Sequence, residues 1–255
     1  MNSGDERQYH IHLKQGDVGR YVLLPGDPGR VEKIAGFLDD ARPVAANREF
    51  VTWRGTHAGV PVAVVSTGIG CPSAAICLEE LIKVGADTFI RVGTSGSLQP
   101  RVKLGDLVIS TAAVREEGTS RQYVPLSFPA VADLDVTLAL RDAAAALGFT
   151  AHAGITHCKD AFYIEGGVDL PLQESNQALW RTWLRAGVVS TAMEAGALFV
   201  LGSIRGVRVG EVMAVIGETW NDAPVVAKVG IDEAIRCALE AIRRLDGVAA
   251  PVDIF

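Results

Sequence analysis

The chain has 255 residues, 49% hydrophobic and 21% charged, enough apolar surface to bury one core against the entropy lost on folding. A net charge of -6 and a pI near 5.4 argue against a general nucleic-acid surface, so any anion site has to be focal. The polar, mixed-charge start and the absence of an apolar run near the roughly 18 residues of a membrane span give no sign of export or insertion. Cys71, Cys77, Cys158 and Cys237 form no CxxC pair; a reducing cytoplasm suits them better than a zinc site or a disulfide framework.

In chain order, Tyr21 to Leu24 reads as a buried strand, rich in apolar residues and ended by a Pro-Gly turn. A second strand is expected at Val62 to Ser66, a helix at Ser73 to Val84 and a third strand at Thr88 to Val92. Leu107 to Thr111 reads as a strand, Asp133 to Leu147 and Met193 to Arg205 as helices, Val212 to Ile216 as a strand and Val225 to Arg244 as a final helix. The helical stretches return apolar residues every three or four positions. Alternating strands and helices predict a single α/β domain over residues 1–255, its central, mostly parallel sheet flanked by helices. In such sheets ligands gather beyond the carboxyl ends of strands, so motifs are expected just after them.

Three motifs can carry chemistry. Leu23 to Arg30 leaves a strand through Pro25-Gly26-Asp27-Pro28-Gly29; Gly26 lets backbone approach a ligand and Arg30 can fork onto an anion, though alone this is an ordinary strand-to-helix turn. In Phe89-Ile90-Arg91-Val92-Gly93-Thr94-Ser95-Gly96 an arginine interrupts the end of an apolar strand. Such a charge needs a partner, either a ligand or an internal carboxylate. The third is Asn47-Arg48-Glu49-Phe50, a charged pair that in isolation reads as a solvated edge.

Together the motifs resemble the nucleoside phosphorylase family of the uridine phosphorylase type. The resemblance runs through PGDPGRVEKIA (25 to 35), REFVTWRG (48 to 55), STGIGCPS (66 to 73), RVGTSGSLQP (91 to 100), DLVISTAAVRE (106 to 116), DAFY (160 to 163) and AMEAGALF (192 to 199). It implies a partly barrel-like mixed sheet and phosphorolysis of a nucleoside, uridine-type, to free base and ribose 1-phosphate in salvage. By the same resemblance Gly26, Arg30, Arg91, Gly93 and Thr94 hold phosphate, with Arg48 reaching in from a neighbouring subunit. His10 contacts the ribose across the dimer interface, with His12 two residues on as the competing histidine. Thr94, Met193 and Glu194 hold the ribose, although a glutamate opening an apolar helix also suits a helix N-terminal charge. Arg91, Glu194 and Glu218 form the catalytic set, and Phe162 is a stacking wall for the base. No cofactor is required; inorganic phosphate is the co-substrate, and Glu49, Ile69 and Ser73 match a structural potassium site between paired subunits. The implied assembly is a homo-oligomer with shared sites, a dimer at least and a hexamer of three dimers, with no nucleic-acid or membrane partner.

The base end departs from the pattern. Pyrimidine enzymes of this type carry a glutamine and an arginine where Gly166 and Val168 stand, and neither side chain here can bond uracil. Each missing bond costs about 1–3 kcal/mol in a desolvated site, so a purine or modified base competes with uracil as substrate. Glu218, near the site of the purine enzymes' acid, either protonates the base or is a solvated loop residue; Ala192 replaces the first acid of the family's Glu-Met-Glu pattern. A nucleosidase would have no evident use for three phosphate-binding arginines. A binding protein without turnover is the alternative of another class, and a dinucleotide enzyme lacks its GxGxxG.

Overall fold

The computed structural model describes residues 6–164, 169–221 and 229–247. Strand β1 (Tyr21–Leu24) is buried at all four positions and lies between β4 (Val60–Val65) and β5 (Thr88–Ser97), parallel to both. A strand covered on both faces needs apolar residues throughout, which is why it shows in sequence as an unbroken run. Its side chains still alternate: Tyr21 and Leu23 enter one core, Val22 and Leu24 the other. Beyond β4, β3 (Phe50–His57) and then β2 (Asp39–Asn47) add antiparallel strands. On the other side β5 runs parallel to β10 (Arg208–Glu218).

The sheet then turns back on itself. β10 pairs antiparallel with β6 (Leu107–Glu116), β6 parallel with β8 (Ala151–Lys159), β8 parallel with β9 (Ser190–Ala192), and β9 antiparallel with β5. These strands close the mixed, partly barrel-like sheet that was expected, with the short β7 (Ala130–Val131) added onto β6. Register shifts between Ser110 and Ala112 and between Val215 and Gly217 supply the local bend that closure needs. Helices cover both faces: α1 (Gly29–Ala35), α3 (Leu134–Ala146) and α6 (Ile231–Leu245) bury one core, and α2 (Cys71–Lys83) and α5 (Ala195–Arg205) the other. A further helix, α4 (Gln173–Arg185), buries no residue of its own completely.

Several boundaries differ from expectation for physical reasons. The glycine motif at 93–96 does not follow β5 but lies within it, because β10 continues to pair with it as far as Ser97. The ends expected for α3 are its caps: Asp133 accepts from the Val136 amide at 2.9 Å and Leu147 closes the other end. α5 starts at Ala195 rather than Met193, with Glu194 as its N-cap residue. The last helix starts at Ile231, after Gly230 at φ 73°; part of the earlier start expected for it, residues 225–228, lies outside the described residues.

Helix α3 packs against β10 through a glycine. A Cβ at Gly210 would lie 2.3 Å from Val136 Cγ1 and 3.1 Å from Val136 Cβ. Gly210→Ala is therefore expected to lower stability by about 1–3 kcal/mol through overpacking, read as an earlier urea midpoint. An unchanged midpoint would show that the helix backs away without cost.

Candidate active site

A cavity of about 810 Å³ opens at the carboxyl ends of β1, β4, β8, β9 and β10, with β5 along its floor. This is the end of an α/β sheet where loops and helix starts converge, and the volume is ample for a small molecule. Its chemistry is organised by Arg91. The guanidinium projects from an otherwise apolar stretch of β5, is almost wholly buried, and is ion-paired with both Glu194 and Glu211, the latter at 2.9 Å. Arg91 therefore has the internal carboxylate partners of one sequence-based reading, and it also lines the cavity. Its Nε has no hydrogen-bond partner among the described residues.

Each carboxylate is fixed in turn. Glu211, on β10 directly across from Arg91, is completely buried and accepts from the Ser110 hydroxyl at 2.5 Å. Ser110 leads on to Thr156 at 2.6 Å and Ser190 at 3.0 Å, a buried hydroxyl chain across β6, β8 and β9. Glu194 accepts from the Gly70 amide at 2.9 Å and the Met193 amide at 3.1 Å. Its side chain makes no capping bond to α5, so its charge is committed to the cavity. Burial by itself pulls the Arg91 guanidinium down, but Glu194 and Glu211 more than offset this and hold it above the ordinary arginine value. Burial pushes the Glu211 carboxyl up, against the opposing pull of Arg91 and Ser110.

Arg30 enters from the start of α1 and donates to the Val92 carbonyl at 3.3 Å. Burial, and then the neighbouring Arg91 charge, pull its guanidinium down, an arrangement that an added anion would relieve. Gly26 keeps the β1 turn close to the next loop, since a Cβ there would lie 3.2 Å from the Gly68 carbonyl oxygen. At Gly93 a Cβ would fall 2.0 Å from Arg91 Nη1, so only glycine leaves the guanidinium its place. Thr94 follows on the cavity wall.

Of the other residues expected in the site, Met193, Phe162, Glu49, Ile69 and Ser73 line the same cavity. Ser73 donates to Glu49 at 2.8 Å; the backbone amide of Glu49 and this hydroxyl hold the Glu49 carboxyl below its usual range. His10 and Arg48 are not in the cavity wall. The His10 ring nitrogen Nδ1 lies 2.7 Å from Glu80, which also accepts the backbone amides of His10 and Ile11. Arg48 and Glu49 form the two-residue turn between β2 and β3, with Arg48 in the left-handed region at φ 54°. Glu218 ends β10 opposite Ser97 and is not among the lining residues, whereas its neighbour Thr219 is. Gly166 and Val168 lie outside the described residues.

Three charged residues escaped the sequence reading. Glu211 carries the same signal as Arg91, a charge inside the apolar run VGEVMAV. Glu80 hides among the polar positions of a helix, and Lys159 ends a strand too polar to be read as one.

Comparison with known proteins decides the lineage. The model of the phosphorylase superfamily matches residues 20–249. The chain belongs to this superfamily. It is 47% identical to a uridine phosphorylase of Treponema pallidum, covering 93% of this chain and 94% of that protein. It is 49% identical to a uridine phosphorylase of Thermococcus kodakarensis, covering 93% and 86%. A guanosine phosphorylase of Halorubrum lacusprofundi is 38% identical over 94% of this chain and 99% of its own length.

In this phosphorylase, Glu211→Leu removes one of the carboxylates balancing Arg91 and the carboxylate acceptor of the Ser110 hydroxyl. It is expected to cost about 3 kcal/mol or more of stability, measured by urea unfolding, whereas Glu211→Gln, which keeps shape and acceptor, costs clearly less. Equal stability of wild type and the leucine variant would contradict the ion-pair account.

Proposed function

We propose that the cavity binds a nucleoside and inorganic phosphate together and transfers the ribosyl group from base to phosphate. Nucleoside phosphorolysis is the chemistry supported by membership of the superfamily and by uridine phosphorylases at 47–49% identity. The observation that carries the site assignment is the meeting of Arg30 with the buried Arg91 and Glu194 in one cavity. Phosphate is read at Gly26, Arg30, Arg91, Gly93 and Thr94, and the ribose hydroxyls at Glu194, Thr94 and the backbone of Met193. As the C1'–N bond lengthens the sugar gains positive character; the phosphate oxygens approach C1' and the electron pair leaves with the base. The protein's contribution is positioning and fixed charge.

The charge balance supports a site completed by a second subunit. Arg30 and Arg91 face Glu194 and Glu211, so these central charges cancel before any phosphate arrives. A phosphate dianion calls for further positive charge, and Arg48 of a neighbouring copy is our candidate, with His10 entering beside it. Arg48 adopts a backbone conformation that favours glycine or asparagine. Exposed Tyr9 and Ile69 offer apolar surface for the contact. We take a dimer as the smallest active unit and a hexamer of dimers as the assembly. Glu49 and Ser73, with the Ile69 carbonyl, are oxygen donors suited to a hard cation such as potassium between the paired copies. The buried free thiols suit a cytoplasmic setting.

For the base, uracil is the reading by kinship. A 6-oxopurine is the second reading, favoured by the guanosine phosphorylase relative and by Gly166 and Val168, which offer no polar side chain. Uridine, thymidine, inosine, guanosine and adenosine, each incubated with and without phosphate, test both. Release of free base is expected only with phosphate and with matching ribose 1-phosphate. Phosphate-independent release would overturn phosphorolysis, and uridine turnover far above every purine nucleoside would remove the second reading.

A further inference from the structure

Along β5 the cavity has a direction. Arg91 marks the phosphate end, Thr94 follows, and Gly96 lies two residues further, about 7 Å along an extended strand. Around Gly96 the wall is built by Thr191, paired with Gly96 across β9, by Thr219, whose methyl would meet a Cβ on Gly96 at 2.5 Å, and by Phe162. Lys159, the last residue of β8, joins this wall at only 2% exposure and donates to the Thr191 hydroxyl at 2.8 Å. The other ionisable lining residues described, Asp27, Arg30, Glu49, Arg91 and Glu194, come from the turn after β1 and the start of α1, from the β2–β3 turn, from β5 before Thr94 and from the start of α5.

The lysine is braced from behind. Thr191 Oγ1 lies 3.4 Å from His157 Nδ1, and the other His157 ring nitrogen lies 2.5 Å from Glu116. Glu116 also accepts from the Trp183 indole at 3.1 Å, while Trp180 packs edge-on against His157. The bond to Thr191 engages one of the three N–H donors an ammonium carries and anchors Nζ at this wall.

We propose that Lys159 is a catalytic and specificity-determining residue for the base, donating from Nζ to a carbonyl oxygen of an oxo-substituted leaving base. The inference rests on the phosphorolysis reading. When the C1'–N bond breaks, its electron pair stays on the base while a phosphate oxygen bonds to C1'. The charge on the base spreads to its carbonyl oxygens, and a fixed cation in a desolvated wall stabilises it there. Uracil and 6-oxopurines present carbonyl acceptors, whereas the amino group of adenine presents N–H donors against an ammonium that can only donate. Lys159 thus takes over part of the recognition that Gly166 and Val168 cannot supply.

Lys159→Met and Lys159→Gln test this with uridine, 5-fluorouridine, inosine and adenosine at varied phosphate. Loss of one such donor is expected to lower kcat/KM for uridine and inosine by about 100-fold. 5-Fluorouridine, whose more acidic base leaves more readily, is expected to lose distinctly less, adenosine least, and the KM for phosphate is expected to stay unchanged. Equal losses on all four nucleosides, or none, would overturn the proposal. Wild-type protein gives a test that survives if both variants fail to fold: 5-nitrouracil, anionic near neutral pH, is expected to bind more tightly than uracil, and equal binding would contradict the assignment. Absence of phosphate-dependent cleavage by wild type would instead defeat the reaction reading, which this binding comparison does not need.

Discussion

The buried ion pairs of Arg91 with Glu194 and Glu211 are the constraint on which the rest of the site depends. A guanidinium without partners would be prohibitively costly in this interior. Because both carboxylates are fixed, one by the hydroxyl chain through Ser110 and the other by the amides of Gly70 and Met193, the charge is held in one place. Five strands and the starts of two helices contribute to these contacts, so the arrangement exists only when the sheet has closed. Gly93 follows from the same requirement, since any side chain would take the space that Arg91 Nη1 occupies.

Closure also orders the cavity from end to end. β5 carries Arg91, Thr94 and Gly96 in sequence, while β8 and β9 bring Lys159 and Thr191 to its far end. Phosphate, sugar and base can then lie along one strand, with a cation near each negatively charged group of the reaction. The neutral centre formed by two arginines and two glutamates is the physical reason for proposing a site completed by a second subunit. A net acidic chain would have to hold phosphate through focal charge rather than through its overall field.

The parts of the fold legible in sequence were those whose local pattern matches their burial. β1 and the start of β5 are enclosed on both faces and read as apolar runs; α2 and α3 return apolar residues at helical spacing. β8 was hidden because it lines both core and cavity and carries His152, His157 and Lys159, so no simple period survives. β9 is too short for a pattern, and α4 lies on the surface with no fully buried residue. Within the site, Arg91 and Glu194 were legible as charges set against apolar surroundings. Glu211 carried the same signal, yet its pairing with Arg91 depends on a contact 120 residues away in the chain. Lys159 could be placed only once the barrel brought β8 beside β9.

The central claim is that phosphate binds at the buried Arg91 cluster. Calorimetric titration of inorganic phosphate into wild type and Arg91→Met tests it most directly, with circular dichroism to show that the variant is folded. Saturable binding by wild type that disappears in the folded variant is the predicted result. Phosphate binding of equal strength in both would place the anion elsewhere and contradict the account.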